Sequence, residues 1–181
     1  DKETGELTGL NNEDPMALRW TGLAPSTLAQ AVLSIDEAQN WEEFRSALQY
    51  WDVPSQNFVY ADINGNIGYQ MPGRIPIRAG NHTGLIPVPG WTGEFEWQGF
   101  IPFEDLPSIS NPERGYIVTA NQAVVPPEYY DELAQKLGEG RNYVFSRDWD
   151  YGYRAQRITE LLNATAKHAI GSFQSIQGDN K

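Results

Sequence analysis

The sequence predicts an α/β fold (α+β) built on antiparallel strands, and three features carry that prediction. Residues 57–71 form two strand-like runs around Asn64-Gly65, a hairpin signature in which both turn residues tolerate positive φ. Apolar residues recur at helical spacing in 36–49 and again in 151–166. Residues 72–112 hold most of the prolines and many glycines, which favours an ordered meander of turns and short strands over helix.

Taken in order, residues 1–15 are polar and read as a loop or flexible start. Leu18-Arg19-Trp20-Thr21 is short and strand-like. Pro25-Ser26 ahead of Thr27–Leu33 reads as a capped short helix. A second helix is predicted over 36–49, with Asp36 as N-cap and Trp41, Phe44, Ala47 and Leu48 on one face. In the meander, Trp91, Phe95, Trp97, Phe100 and Phe103 supply the apolar area to pin it to the body, so disorder is not expected there. Gly115–Asn121 reads as a buried strand ending in polar residues. A helix follows over 151–166, with Tyr153, Ile158, Leu161 and Leu162 as its stripe, and a short last helix begins near Ser172.

Composition narrows the function classes. The 181 residues carry a formal charge of −11 with no Lys/Arg cluster, which argues against a nucleic-acid partner. An acidic chain favours solubility and is compatible with a bound cation. The absence of cysteine excludes disulfides and thiol catalysis. No apolar run approaches membrane-spanning length, and Asp1-Lys2-Glu3 does not open a signal peptide, although a piece cut from an exported precursor would look the same. Six Trp and nine Tyr suit a heavily packed core or a pocket for apolar groups.

Motifs of self-contained reactive centres are missing: no G-x-S-x-G elbow, no H-E-x-x-H, no phosphate loop, no calcium-binding loop. His82 and His168 stand far apart, each without a ligand-spaced neighbour. Asp148 and Asp150, close to Arg147 and ahead of a helix bearing Arg154 and Arg157, fit either helix-dipole complementarity or oxygen ligation of calcium. Asp62 is a turn acceptor by position. Asn121, at the end of an apolar run, is open to two readings: capping a turn, or presenting its amide to a cleft.

Asn57-Phe58-Val59-Tyr60-Ala61-Asp62-Ile63-Asn64-Gly65-Asn66-Ile67-Gly68-Tyr69 closely resembles a signature of the penicillin acylase family of N-terminal-nucleophile hydrolases. Further blocks follow in the family's order: Leu18–Thr21, Pro87–Gly90, Trp97–Phe103, Gly115–Asn121, Gly152–Ile158 and Phe173–Asp179. The resemblance covers roughly residues 17–180 and implies part of an αββα sandwich of stacked antiparallel sheets with flanking helices. It also implies cleavage of N-acyl amides through an acyl-enzyme. The nucleophile would be a Ser at the start of the larger of two self-cleaved chains, with its own α-amine as base. No Ser-Asn-x-Trp start occurs here, so the chain resembles an internal segment of that larger chain (residues 1–181 as one fragment), expected to be inactive alone. Its implied partners are the rest of the same precursor and a small N-acyl amide, with no nucleic acid and no membrane. The implied compartment is the bacterial periplasm or exterior. A non-catalytic ligand-binding module reusing the fold is the alternative.

The resemblance also implies site residues. Asn121 matches the oxyanion asparagine and Arg157 an arginine that positions catalytic groups. Trp20 matches an aromatic of the acyl-pocket region, and Gln56 stands where that pocket has an apolar residue, a departure bearing on acyl specificity. One structural calcium is implied, with Asp148 as a ligand (Asp131 the alternative) and the carbonyl of Gly84 as another, the remaining ligands lying outside this chain. Missing sheet neighbours would leave apolar edges exposed.

Overall fold

The computed structural model describes residues 16–180, and the predicted loop at 1–15 lies outside them. The hairpin forms where expected: β1 (Phe58–Ala61) pairs antiparallel with β2 (Ile67–Gln70), with Tyr60 opposite Gly68. Its turn is longer than the two residues predicted, because Ala61 pairs with Ile67 and leaves residues 62–66 to reverse the chain. The Asp62 side chain explains this. Its Oδ1 accepts from the amides of Asn64 and Asn66, both at 2.9 Å, and its Oδ2 accepts from Asn66 Nδ2 at 2.8 Å. A carboxylate that satisfies the turn's own donors makes the wider reversal favourable. Gly65, at φ 87°, is the turn residue that needs the left-handed region.

Two further strands of the meander form a second sheet with a late one. β3 (Pro76–Ala79) lies between β4 (Trp97–Phe100) and β6 (Arg141–Asn142), all antiparallel. β5 (Ser108–Ser110) returns to the first sheet at the free edge of β2, giving the order β1-β2-β5. Helices with two three-stranded antiparallel sheets make this an α+β fold, as predicted.

The helices partly depart from expectation. α1 (Leu28–Glu37) starts as predicted, with Ser26 Oγ accepting from the Leu28 amide at 3.1 Å, but it runs past Leu33 and contains Asp36. The cap of α2 (Trp41–Ala47) is therefore Asn40, which accepts from the Glu43 amide at 2.9 Å while Glu43 accepts from the Gln39 amide at 2.8 Å. A 3-10 turn at Leu48–Tyr50 extends α2. α4 (Tyr153–Asn163) falls within its predicted span, and α5 (Ile170–Gln177) opens just ahead of Ser172, whose hydroxyl accepts from the Ala169 amide at 2.9 Å.

Two strand expectations fail. Leu18–Trp20 leads into a 3-10 turn at Thr21–Leu23, and Gly115–Asn121 joins no sheet. In the latter, the Gln122 side chain takes the place of a strand neighbour: its Oε1 accepts from the Ala120 amide at 2.7 Å and its Nε2 donates to the Val118 carbonyl at 2.9 Å. α3 (Glu128–Leu137) was not anticipated. Leu133 on its inner face is buried with Tyr69 of β2, Met71 just after it, Ile77 of β3, Ile101 and Tyr143, so this helix closes the core that joins the two sheets.

A second, aromatic cluster seats α2 on the hairpin. Trp41 and Phe44 pack on Tyr60 with ring centroids 5.6 and 5.2 Å apart, and Phe58 joins against Trp51 at 4.7 Å. Trp41 lies flat over Gly68 of β2, where a Cβ would meet its ring carbons at 2.4 Å. Glycine is required there by packing, not by backbone angle.

Candidate active site

Asn121 sits at φ 62°, a left-handed conformation that few residue types other than glycine and asparagine adopt readily. Two contacts hold it. Its carbonyl accepts from the Asp150 amide at 2.9 Å, and its side-chain oxygen accepts from Nη2 of Arg154 at 2.6 Å. Arg154 comes from the first turn of α4, which starts after Gly152 in a left-handed conformation (φ 87°). The same Nη2 lies within hydrogen-bond distance of the Ala120 carbonyl (3.1 Å) and of Asp150 Oδ2 (2.5 Å). A guanidinium has no acceptor, so the oxygen of the carboxamide must be the atom that faces it. The Asn121 Nδ2 is therefore turned away from Arg154, and among the described residues it has no acceptor. The residue is exposed. The arrangement is a side-chain amide donor, clamped from behind and open in front.

Arg157 does not make this contact. Its guanidinium is engaged by Asp179 through two bonds, Nε to Oδ1 at 2.9 Å and Nη2 to Oδ2 at 2.7 Å, with Glu160 at 3.7 Å. Hydrogen bonding to Asp179 raises the Arg157 pKa further above its ordinary value. The arginine that the fold brings to Asn121 is Arg154, which sequence reasoning had noted only as a helix charge. Its spacing of four from Asp150 was the available signal, since a helix-start acid and an arginine one turn on can meet.

Trp20 helps line a shallow open groove of about 340 Å³ with Leu18, Leu23, Arg74, Trp97 and Phe100. Its ring covers Gly22, where a Cβ would come within 2.6 Å of it. Arg19 stacks over Trp97 at 4.6 Å and pairs with Glu96. Gln56 is exposed in the loop before β1 and is not among the groove's lining residues.

Asp148 is exposed, with its amide donating to Ser146 Oγ at 3.2 Å, and Asp131 is exposed in the first turn of α3. Gly84, at φ 79°, lies against the guanidinium of Arg78: a Cβ there would be 3.0 Å from Nε. No three acidic or histidine side chains gather among the described residues. On their own, then, Asp148, Asp131 and Gly84 do not fit a calcium cage, and the cation beside Gly84 opposes one. His168 is a structural link, its Nε2 2.8 Å from the Leu162 carbonyl and its Nδ1 3.1 Å from Ser172 Oγ. His82 packs edge-on against Phe95 at 5.7 Å.

The fold has a counterpart among solved structures. The chain superposes on the thermostable penicillin G acylase from Alcaligenes faecalis in its orthorhombic form with a TM-score of 0.62 and 27% identity, covering 83% of this chain and 24% of that one. Sequence comparison then gives the family: residues 3–181 match the penicillin amidase family model, and the chain belongs to that family. It is 37% identical over 172 residues (92% of this chain) to penicillin acylase 2 proenzyme from Pseudomonas sp. strain SE83. It is 37% identical over 164 residues (91% of this chain) to the acyl-homoserine lactone acylase QuiP from Pseudomonas syringae pv. tomato. Penicillin G acylase from Escherichia coli is 43% identical over 89 residues, 48% of this chain. The chain spans about a fifth or less of the length of these relatives (20%, 18% and 10%).

Proposed function

We propose that this chain is a segment of an amidohydrolase that cleaves N-acyl amides through an acyl-enzyme, and that Asn121 is its oxyanion donor. The observation that carries the reading is the clamped, exposed carboxamide, whose Nδ2 has no acceptor among the described residues while its oxygen is held by Arg154. In a tetrahedral intermediate the former carbonyl oxygen becomes an oxyanion. An amide N–H already aimed at that position stabilises it without reorganisation, which is worth about 3 kcal/mol, or 10²–10³ in kcat. Arg154 serves as a positioning residue: it fixes the rotamer and adds positive charge behind the donor. Asp150 in turn holds Arg154.

The nucleophile and its base belong, on this reading, to other segments of the parent, a serine with its own α-amine. The short coverage of the relatives and the word proenzyme in the name of one of them support a larger precursor. The isolated chain would then hydrolyse nothing. The groove at Trp20 is the acyl-binding candidate within the chain, with Gln56 outside it. Calcium is retained only as an ion shared with other segments, to which Asp148 would contribute. Isothermal titration of the intact protein with calcium, with and without Asp148→Ala, tests this. Relatives from bacteria support a bacterial parent, and export to the periplasm is part of the same proposal. No helix among the described residues is long and apolar enough to cross a membrane.

The test is Asn121→Gly in the intact parent, assayed on N-acyl amides of graded chain length and aromaticity. Glycine accepts φ 62° without strain, so the variant removes the donor and spares the backbone. The expected result is a 10²–10³-fold fall in kcat with KM nearly unchanged. A folded variant with kcat within a few-fold of the original would refute the assignment.

A further inference from the structure

Arg78 on β3 is the one described side chain with a buried polar atom that meets nothing: its Nε is out of contact with solvent and has no hydrogen-bond partner. No carboxylate among the described residues pairs with its guanidinium, although every other arginine with a partner in this half of the chain (Arg19, Arg45, Arg74) has found an acid. Burial pulls its pKa below the ordinary arginine value. The backbone that carries it is fixed on both sides, since Arg78 pairs across both edges of β3, with Trp97 on β4 and Asn142 on β6. Gly84 lies flush against it because a side chain there would strike the guanidinium, at 3.0–3.2 Å from a Cβ. His82 is near enough to feel its charge: burial first, and Arg78 second, hold that imidazole below its ordinary pKa. Leaving a buried donor unpaired is costly, whereas a carboxylate takes two parallel N–H bonds from one guanidinium.

We propose that the Arg78 guanidinium, framed by β3, Gly84 and His82, is a carboxylate-binding site, filled in the intact protein by a carboxylate from another segment or by a free small carboxylate. The chemistry is the same for either source: a planar anion accepting from the terminal N–H groups of the Arg78 guanidinium, whose side chain is only partly buried. The site stands apart from the amidase reading, because nothing in it depends on Asn121. It also reverses the expectation for the Gly84 loop, from contributing to a cation site to bordering an anion site.

The experiment uses the intact parent protein and Arg78→Met, which keeps an apolar stem and removes the charge and donors. If the guanidinium is unpaired, the substitution relieves a buried orphan donor, so stability stays level or rises. If a carboxylate fills the site, stability falls. The sign therefore decides. Thermal unfolding is followed for both proteins in sodium chloride and in sodium acetate at matched ionic strength. A loss of ten-fold or more in the folding equilibrium for Arg78→Met, with no acetate response in either protein, identifies a carboxylate from the protein itself. A rise in melting temperature with acetate for the original protein but not for Arg78→Met identifies a free carboxylate. Arg78→Lys is expected to recover part of either effect. Arg78→Met at least as stable as the original, together with no acetate response, would overturn the proposal. Should Arg78→Met fail to fold, the acetate series on the original protein and Arg78→Lys carries the decision: no response and no loss there overturns it equally.

Discussion

Adding one methyl group at Gly68 tests how α2 is seated on the hairpin. An alanine Cβ at this position would lie 2.4, 2.4 and 2.8 Å from three carbons of the Trp41 ring. Ordinary carbon contacts begin at roughly 3.5 Å, so the ring must retreat by about 1 Å. It has little room to do so, because Phe44 and Tyr60 stand behind and beside it at centroid distances of 6.0 and 5.6 Å. Overpacking of this kind costs about 1–3 kcal/mol, and the constrained ring puts Gly68→Ala near 2 kcal/mol, a factor of about 30 in the opening equilibrium of β1 and β2. Native-state hydrogen exchange at the amides of Tyr60 and Gln70 reads that opening directly, and tryptophan fluorescence reports the ring's displacement. Trp41→Leu supplies the control: in the alanine background it relieves the clash, so the two substitutions together cost less than their sum. Unchanged exchange in Gly68→Ala, or strict additivity of the pair, would refute the close approach of ring and strand.

Other consequences are equally open to measurement. Leu133→Ala removes the buried side chain by which α3 joins the core (4% exposed), at about 3 kcal/mol in denaturant unfolding. Asp52 is buried; burial alone would raise its pKa, but hydrogen bonds from Ser26 Oγ (2.6 Å) and the Thr27 amide (3.1 Å), with Arg74 at 3.4 Å, outweigh that and leave it lowered. A depressed folded pKa means that its stabilisation is complete above the unfolded-state pKa and is lost as pH falls through the folded one. Asp52→Asn should therefore cost stability at neutral pH, by about 2 kcal/mol, and little at the acid end of a pH series. Asp62→Ala should speed amide exchange at Asn64 and Asn66, whose protons it accepts, while Asp62→Asn preserves much of the protection.

The hairpin, the meander and α4 were legible because each is decided locally, by turn chemistry or by periodicity over one or two turns. Asp36 and Asn40 show where local reading falls short. Both are good N-caps, and both have a Glu or Gln three residues on (Gln39 and Glu43), so local sequence does not separate them; α1 runs through Asp36, which leaves Asn40 to accept from the Glu43 amide while Glu43 accepts from the Gln39 amide. Gly115–Asn121 has strand composition, but no neighbouring strand reaches it among the described residues, and the Gln122 side chain occupies the backbone groups instead. α3 was missed although Tyr129, Leu133 and Leu137 recur at helical spacing, since its polar first turn and the two prolines before it resemble a loop.

The candidate site divides along the same line. Asn121 was singled out from sequence, on resemblance and on its place at the end of an apolar run. Which arginine faces it was not, because Arg154 and Arg157 share one helix and differ by less than a turn in direction. That choice depends on the angle at which α4 leaves Gly152, on Asp150 holding Arg154 from one side, and on Asp179, twenty-two residues beyond Arg157, drawing the other guanidinium away. Sequence by itself determined the fold class and the family, since these rest on contacts within a few positions and on whole blocks of residues in order, and it offered Asn121 as the candidate amide. Tertiary structure alone decided which charges meet, because a pairing between side chains far apart in the chain depends on how elements cross in space, and single residues carry no record of that.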